Sequence, residues 1–199
     1  LTFDSNAAYI GSMLNLRSAT PDDAATMASV HIEAWRAAYR GLVPEPFLAA
    51  LDRDRRTARF REFLASGAGD TYIIERDSEP VGHLTIGPCR DDDLDERTVG
   101  EIWGIYLAPA HWRRGIGARV CRRAERILRA RGFGPIVLWV FEGNASARRF
   151  YEAMGYAPDA ATKTAEVGGP LPAIRYRKDG PTTGALASKA PRRPPDRSR

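Results

Sequence analysis

Gly100-Glu101-Ile102-Trp103-Gly104-Ile105-Tyr106-Leu107-Ala108-Pro109 runs through Ala110-His111-Trp112 into Arg113-Arg114-Gly115-Ile116-Gly117-Ala118. The first part reads as a strand, over Thr98 to Leu107, and the second as a tight turn that opens a helix. From Arg114 to Arg131 the apolar residues Ile116, Val120, Ala124, Ile127 and Leu128 fall three or four apart, the buried stripe of an amphipathic helix. Glycine has no Cβ, so Gly115 and Gly117 let the chain turn sharply and let a ligand approach the backbone. The first amides of the helix have no partner within it and lie at the positive end of its dipole, which suits a diphosphate. Arg113 and Arg114 add charge, and Arg119 or Arg122 could reach a further phosphate. By itself Gly-x-Gly equally describes an ordinary helix start. No Lys-Ser/Thr pair follows, so this is not a P-loop, and the third glycine of the dinucleotide fingerprint is missing.

The elements around it can be read outward in both directions. Thr20 is a good N-cap, Pro21 suits a first helical position and Asp23 lies three residues after the cap, so a helix is expected to about Tyr39. Gly41 ends it, a short helical region covers Pro44 to Leu51, and a further helix covers Arg53 to Leu64. Thr71–Glu75 and Val81–Ile86 read as an antiparallel hairpin around Asp77-Ser78-Glu79-Pro80. Downstream of the long helix, Pro135–Phe141 is a continuous apolar run, typical of a strand covered on both faces. Ala145 to Met154 reads as a helix stopped by Gly155, with two last strands near Tyr156–Val167 and Leu171–Lys178. A mixed α/β sheet is implied.

Composition bounds the function classes. The 199 residues, 43% of them apolar, suffice for one domain with one core. No run approaches the ~20 apolar residues of a membrane helix, and no secretory signal is read at the N-terminus. Cys89 and Cys121 make neither a metal spacing nor a disulfide framework, so a reducing cytoplasm is expected and no metal. The net charge is +5, but from Gly180 to Arg199 five basic residues and one acid give a surplus of four. That stretch is rich in Pro, Ala, Ser and Gly and is expected to be a disordered basic tail, which argues against a specific nucleic-acid partner. Residues 1–13 read as a flexible extension, with Met13 opening the first coherent strand, so residues 1–12 are expected to be a mis-assigned start or an expression remnant. The domain is placed at 14–179 and the tail at 180–199.

The segment from Gly100 to Pro109 followed by Arg113 to Ala118 closely resembles the GNAT superfamily of N-acetyltransferases. Asn144-Ala145-Ser146-Ala147-Arg148-Arg149-Phe150-Tyr151-Glu152-Ala153-Met154-Gly155-Tyr156 resembles that family's second conserved block. The resemblance covers roughly residues 14 to 178 in element order. It implies an α/β fold: a mixed, mostly antiparallel central sheet of about seven strands with flanking helices, splayed between the fourth and fifth strands. It implies acetyl-CoA as acyl donor, with Ile105, Tyr106 and Leu107 offering main-chain groups to the pantetheine arm. Arg113, Arg114, Gly115, Ile116, Gly117 and Ala118 would hold the diphosphate, with Asn144 a further contact. One departure stands out: the family's usual Gln or Arg three positions before the first glycine is Trp112 here.

Chemistry follows from the same resemblance. A lysine-like amine with a pKa of about 10.4 is neutral in only about one molecule in 10³ at pH 7, a cost of roughly 4–5 kcal/mol. Glu101 stands where many family members keep a glutamate base acting through water; the alternatives are a salt-bridged structural Glu101, and His83 as a rival base. The Ile105 amide is the candidate to polarise the thioester, and Gly104 suits a bulge. Tyr151 occupies the position of the acid that protonates the departing thiolate. Trp35 and Tyr39, one helical turn apart, are candidate walls of an acceptor pocket, and the acidic run Asp91-Asp92-Asp93-Leu94-Asp95-Glu96 either draws in a cationic amine or is simply solvated. The acceptor is expected to be a primary amine of a small molecule or peptide. No membrane partner is expected, and a homodimer is left open. The alternative function is a non-catalytic acyl-CoA-binding or sensing domain of the same fold.

Overall fold

The computed structural model describes residues 13–180; the expectations for the N-terminal extension and the basic tail concern residues outside that range. The elements are β1 (Leu14–Ser18), α1 (Ala24–Ala38), α2 (Glu45–Ala49), α3 (Arg53–Ser66), β2 (Asp70–Arg76), β3 (Glu79–Pro88), β4 (Gly100–Leu107), α4 (Ile116–Ala130), β5 (Ile136–Phe141), α5 (Ala145–Ala153), β6 (Ala157–Glu166) and β7 (Pro170–Lys178). Asp23 accepts the Thr20 amide at 2.7 Å, the reciprocal half of the cap expected from the sequence, and a 3-10 turn at Pro21–Asp23 leads into α1. Asp52 caps α3 through the Arg55 amide, and Gly67 ends it in the left-handed region that glycine tolerates.

Seven strands form one sheet in the order β1-β2-β3-β4-β5-β7-β6. Every neighbouring pair is antiparallel except β4 and β5, which run parallel and register at Gly100 with Ile136 and Glu101 with Val137. The splay between the fourth and fifth strands expected from the family is therefore present. One face of the sheet buries Ile74, Leu84, Ile86, Ile102, Leu138, Val140 and Tyr176 against Val120, Ala124 and Leu128 of α4. Strand alternation sends His83, Glu101 and Tyr106 to the opposite face, where α1 and α3 pack.

A bulge in β4 separates its two halves. Ile86 pairs with Ile102 and Thr85 with Gly104, so Trp103 is the unpaired extra residue. Its indole donates to the Pro88 carbonyl at 3.1 Å and its ring fills the space over Gly69 and Gly87. Gly104 is glycine because the Tyr106 ring folds back across it: a Cβ there would lie 2.6 Å from Tyr106 Cε2. Gly104→Ala should therefore rotate the Tyr106 ring and destabilise the fold by about 1–3 kcal/mol. Urea unfolding checks this, and a wild-type midpoint for the variant would contradict the assigned bulge packing.

Candidate active site

The Ala108 amide donates to the Val81 carbonyl at 2.9 Å. In an antiparallel ladder the main-chain groups alternate sides, so those of Ala108 and Tyr106 face β3 while those of Leu107 and Ile105 face the other way. On that side β5 has already parted from β4. A gap with free strand edge on its β4 wall is thus built into the middle of the sheet.

At the end of β4 the chain turns through Pro109–His111 and enters α4 at Gly115. Arg113 (φ 57°) and Gly115 (φ 75°) both adopt the left-handed conformation, the local geometry from which anion-binding nests of successive amides are built. Among the described residues, none of the amides of residues 113–118 donates to a backbone or side-chain acceptor. Around Gly115 nothing lies within 4 Å of where a Cβ would stand, so the turn is open. A Cβ on Gly117 would meet the Phe150 ring at 3.5 Å and Leu107 at 3.9 Å, which places α5 and the end of β4 beside the turn. Unpaired donors, a helix N-terminus and the Arg113 and Arg114 guanidiniums fit a diphosphate, and the free edge of β4 fits an extended amide-bearing arm such as pantetheine.

Glu101 sits where β4 and β5 part, buried to 1% exposure. It is not solitary. Arg90 grips it through Nη2 to Oε1 at 2.6 Å, Nε to Oε2 at 3.1 Å and its own amide to Oε2 at 3.0 Å, while the same guanidinium stacks 4.2 Å from the Trp103 ring centroid. Arg90 is a residue that the sequence reading overlooked. Its signal was its place beside the acidic run, within reach of the glutamate across a hairpin. The run itself is neither a free amine lure nor simply solvated: Asp91 and Asp93 bind buried Arg175 at 3.1 and 2.7 Å, Asp91 also accepts from Trp139, and Asp95 pairs with Arg97.

Tyr151 lies on α5 against the main core, and burial, followed by Cys121, Tyr39 and Tyr106, pushes its proton affinity well above the ordinary phenol range. It therefore keeps its proton through neutral pH, the state required of a proton donor. Asn144 caps α5 by accepting the Ala147 amide at 3.0 Å. Trp35 and Tyr39 belong to an aromatic chain running from Phe141 on β5 beneath the gap: Tyr39 to Phe141 is 5.2 Å, Tyr39 to Trp35 4.7 Å and Trp35 to His31 5.4 Å between ring centres. His31 then meets Tyr106 at 4.4 Å and Tyr106 meets His83 at 5.0 Å. Both nitrogens of His31 and His83, and Trp35 Nε1, are buried without a hydrogen-bond partner. Burial, with smaller effects from Arg56 and His83, drives His31 down to about 2, and burial drives His83 down to about 3.

Among the described residues, no group of three or more His, Cys, Asp or Glu side chains is placed to share a metal ion, and no helix is long and apolar enough to cross a membrane. Residues 32–156 match the model of the Acetyltransferase (GNAT) family. The uncharacterized N-acetyltransferase YuaI of Bacillus subtilis is 27% identical over 169 residues, covering 84% of this chain and 91% of that protein. The PaiA N-acetyltransferase of Thermoplasma acidophilum, solved with coenzyme A, superposes with a TM-score of 0.68 at 17% identity, over 84% of this chain and 99% of that one. For yncA of Salmonella typhimurium, solved with acetyl-CoA, the TM-score is 0.61 at 19% identity, over 88% and 98%. At those identities the two structures speak to the fold.

The histidines carry a pH signature. Unfolded, both rings take up protons below about 6.5, whereas folded they stay neutral until far lower pH. Their contribution is complete above pH 6.5 and is lost as pH falls toward 3, each ring costing about 2 kcal/mol by pH 5. Urea midpoints at pH 7 and pH 5 measure this, and His83→Phe should remove roughly half of the difference. Equal midpoints in wild type at the two pH values would contradict the burial of neutral imidazoles.

Proposed function

The chain belongs to the GNAT acetyltransferase family, and from that premise we propose that it moves an acetyl group from acetyl-CoA to a primary amine of a small molecule or peptide, by direct transfer with both bound. The observation that carries this reading is the juxtaposition of a gap in the sheet, edged by the main-chain groups of Ile105 and Leu107, with a turn of unpaired amides at 113–118. The solved relatives bound to coenzyme A and acetyl-CoA support the choice of donor.

Acetyl-CoA supplies a thioester already activated for acyl transfer. The amides of residues 113–118, with Arg113 and Arg114, hold the diphosphate. Ile105, Tyr106 and Leu107 take the pantetheine arm as an added strand on the free edge of β4, and Asn144 adds a contact from α5. Aimed into the gap, the Ile105 amide steadies the negative charge that develops on the carbonyl oxygen. On becoming an amide, an ammonium gives up two protons. Glu101, oriented by Arg90, takes one through water, and the other passes to the Tyr151 oxygen as Tyr151 gives its own proton to the departing sulfur, so the phenol is restored. Trp35, Tyr39 and Phe141 wall the side from which the amine enters.

A second reading has one observation in its favour. Arg90 occupies both oxygens of Glu101, as it would in a domain that binds acyl-CoA without turnover. Thiol release from acetyl-CoA in the presence of tyramine, spermidine and an alanyl peptide separates the two. Turnover in wild type, falling about 10- to 100-fold in Tyr151→Phe with the KM for acetyl-CoA unchanged, is expected for the enzyme. Tight acetyl-CoA binding without thiol release from any of these amines would favour the binding domain. Gly117→Trp should abolish coenzyme A binding under either reading, since its side chain must fill the approach between the turn and Phe150; calorimetry showing wild-type affinity would contradict the assigned site.

A further inference from the structure

We propose that Trp112 is a positioning residue of the coenzyme A site, fixing the amide turn at a set distance and angle from the free edge of β4; this rests on acetyl-CoA being the donor. Trp112 stands three positions before Gly115, where the family resemblance leads one to expect Gln or Arg. Its indole Nε1 donates to the Leu107 carbonyl at 2.7 Å. That carbonyl is the last main-chain acceptor of β4, on the side facing the gap, and without the indole it would have no partner in the strand ladder.

The Ala108 amide ties the start of the connection from 108 to 112 to Val81 of β3 at 2.9 Å, and beyond it other ties are few. His111 donates to the Ala108 carbonyl at 2.9 Å and Trp112 to that of Pro109 at 3.1 Å, which closes one 3-10 turn but does not anchor it to the strand. The indole bond ties the far end of the turn back to β4. Immediately afterwards the chain enters Arg113 at φ 57°, so the orientation of Trp112 sets where the unpaired amides point. A ligand gripped at both its diphosphate and its pantetheine arm needs those two sites at fixed separation before it arrives, because any ordering left to binding subtracts from affinity. A tryptophan, with two side-chain torsions, holds the bond at lower entropic cost than a glutamine with three. A carbonyl oxygen has two lone pairs, so the indole leaves one for a donor on the ligand. Trp112 is 36% exposed, and burial in the core therefore does not account for an aromatic residue at this position.

Coenzyme A titrations followed by calorimetry and by the indole N–H resonances of the full chain test the assignment. Trp112→Phe keeps the ring and removes the donor; its Kd for coenzyme A should rise about three- to ten-fold, the weight of one hydrogen bond. Trp112→Gln, which restores a side-chain N–H donor, should return Kd to within about two-fold of wild type. In wild type, the Trp112 indole resonance, identified by its loss in Trp112→Phe, should shift as coenzyme A saturates. A Trp112→Phe variant that binds coenzyme A as tightly as wild type overturns the proposal, and so does a Trp112 indole resonance unmoved at saturation in wild type. No binding by wild type itself would instead overturn the donor reading, and the role of Trp112 with it.

Discussion

The parallel pairing of β4 with β5 lasts for only the registers at Glu101 and Gly100, and the site depends on that early parting. A parallel neighbour would ordinarily satisfy the outward main-chain groups of Ile105 and Leu107. Instead the bulge at Trp103 redirects β4, while β5 stays bonded along its length to β7. Of the outward groups, the Leu107 carbonyl is met by the Trp112 indole, and main-chain donors and acceptors left without partners cost free energy unless water or a ligand meets them. The gap is therefore a strand-shaped vacancy with polar edges, and what fits it is an extended molecule bearing amides.

Charge is arranged around this gap with little left unmatched near the chemistry. An isolated buried carboxylate would cost several kcal/mol, and Arg90 meets Glu101 with three donors. Across the gap, buried Arg175 gathers Asp91, Asp93 and Asp159 and so fastens the loop after β3 onto β5 and β7. At the turn the balance is reversed: the amides of residues 113–118 have no acceptors and Arg113 and Arg114 no ion-pair partners among the described residues. The protein holds uncompensated positive potential where a diphosphate would be received and neutralises it where an amine would enter.

Much of this was legible in the chain before any coordinates. Periodicity and punctuation placed each helix and strand within a few residues, because residues such as Gly41 and Gly155 interrupt apolar patterns of clear period. The bulge followed from Gly104, and the turn from Gly115 and Gly117. What was not legible depends on contacts between residues distant in sequence. That Asp91 is bound to Arg175, 84 positions away, cannot be read from an acidic run. Nor can the packing of His31 and His83 against Tyr106, since those rings come from α1, β3 and β4 and each alone reads as an ordinary buried residue. Trp112 was visible as a departure from the family pattern, but its meaning lay in a bond to a carbonyl whose freedom only the sheet topology reveals.

A crystal structure of the full chain with coenzyme A bears most directly on the central claim. The account predicts diphosphate oxygens within hydrogen-bonding distance of the amides of residues 113–118, and the pantetheine arm lying along Ile105 and Leu107 between β4 and β5. Coenzyme A bound elsewhere, with the gap closed by the protein's own side chains, would contradict it.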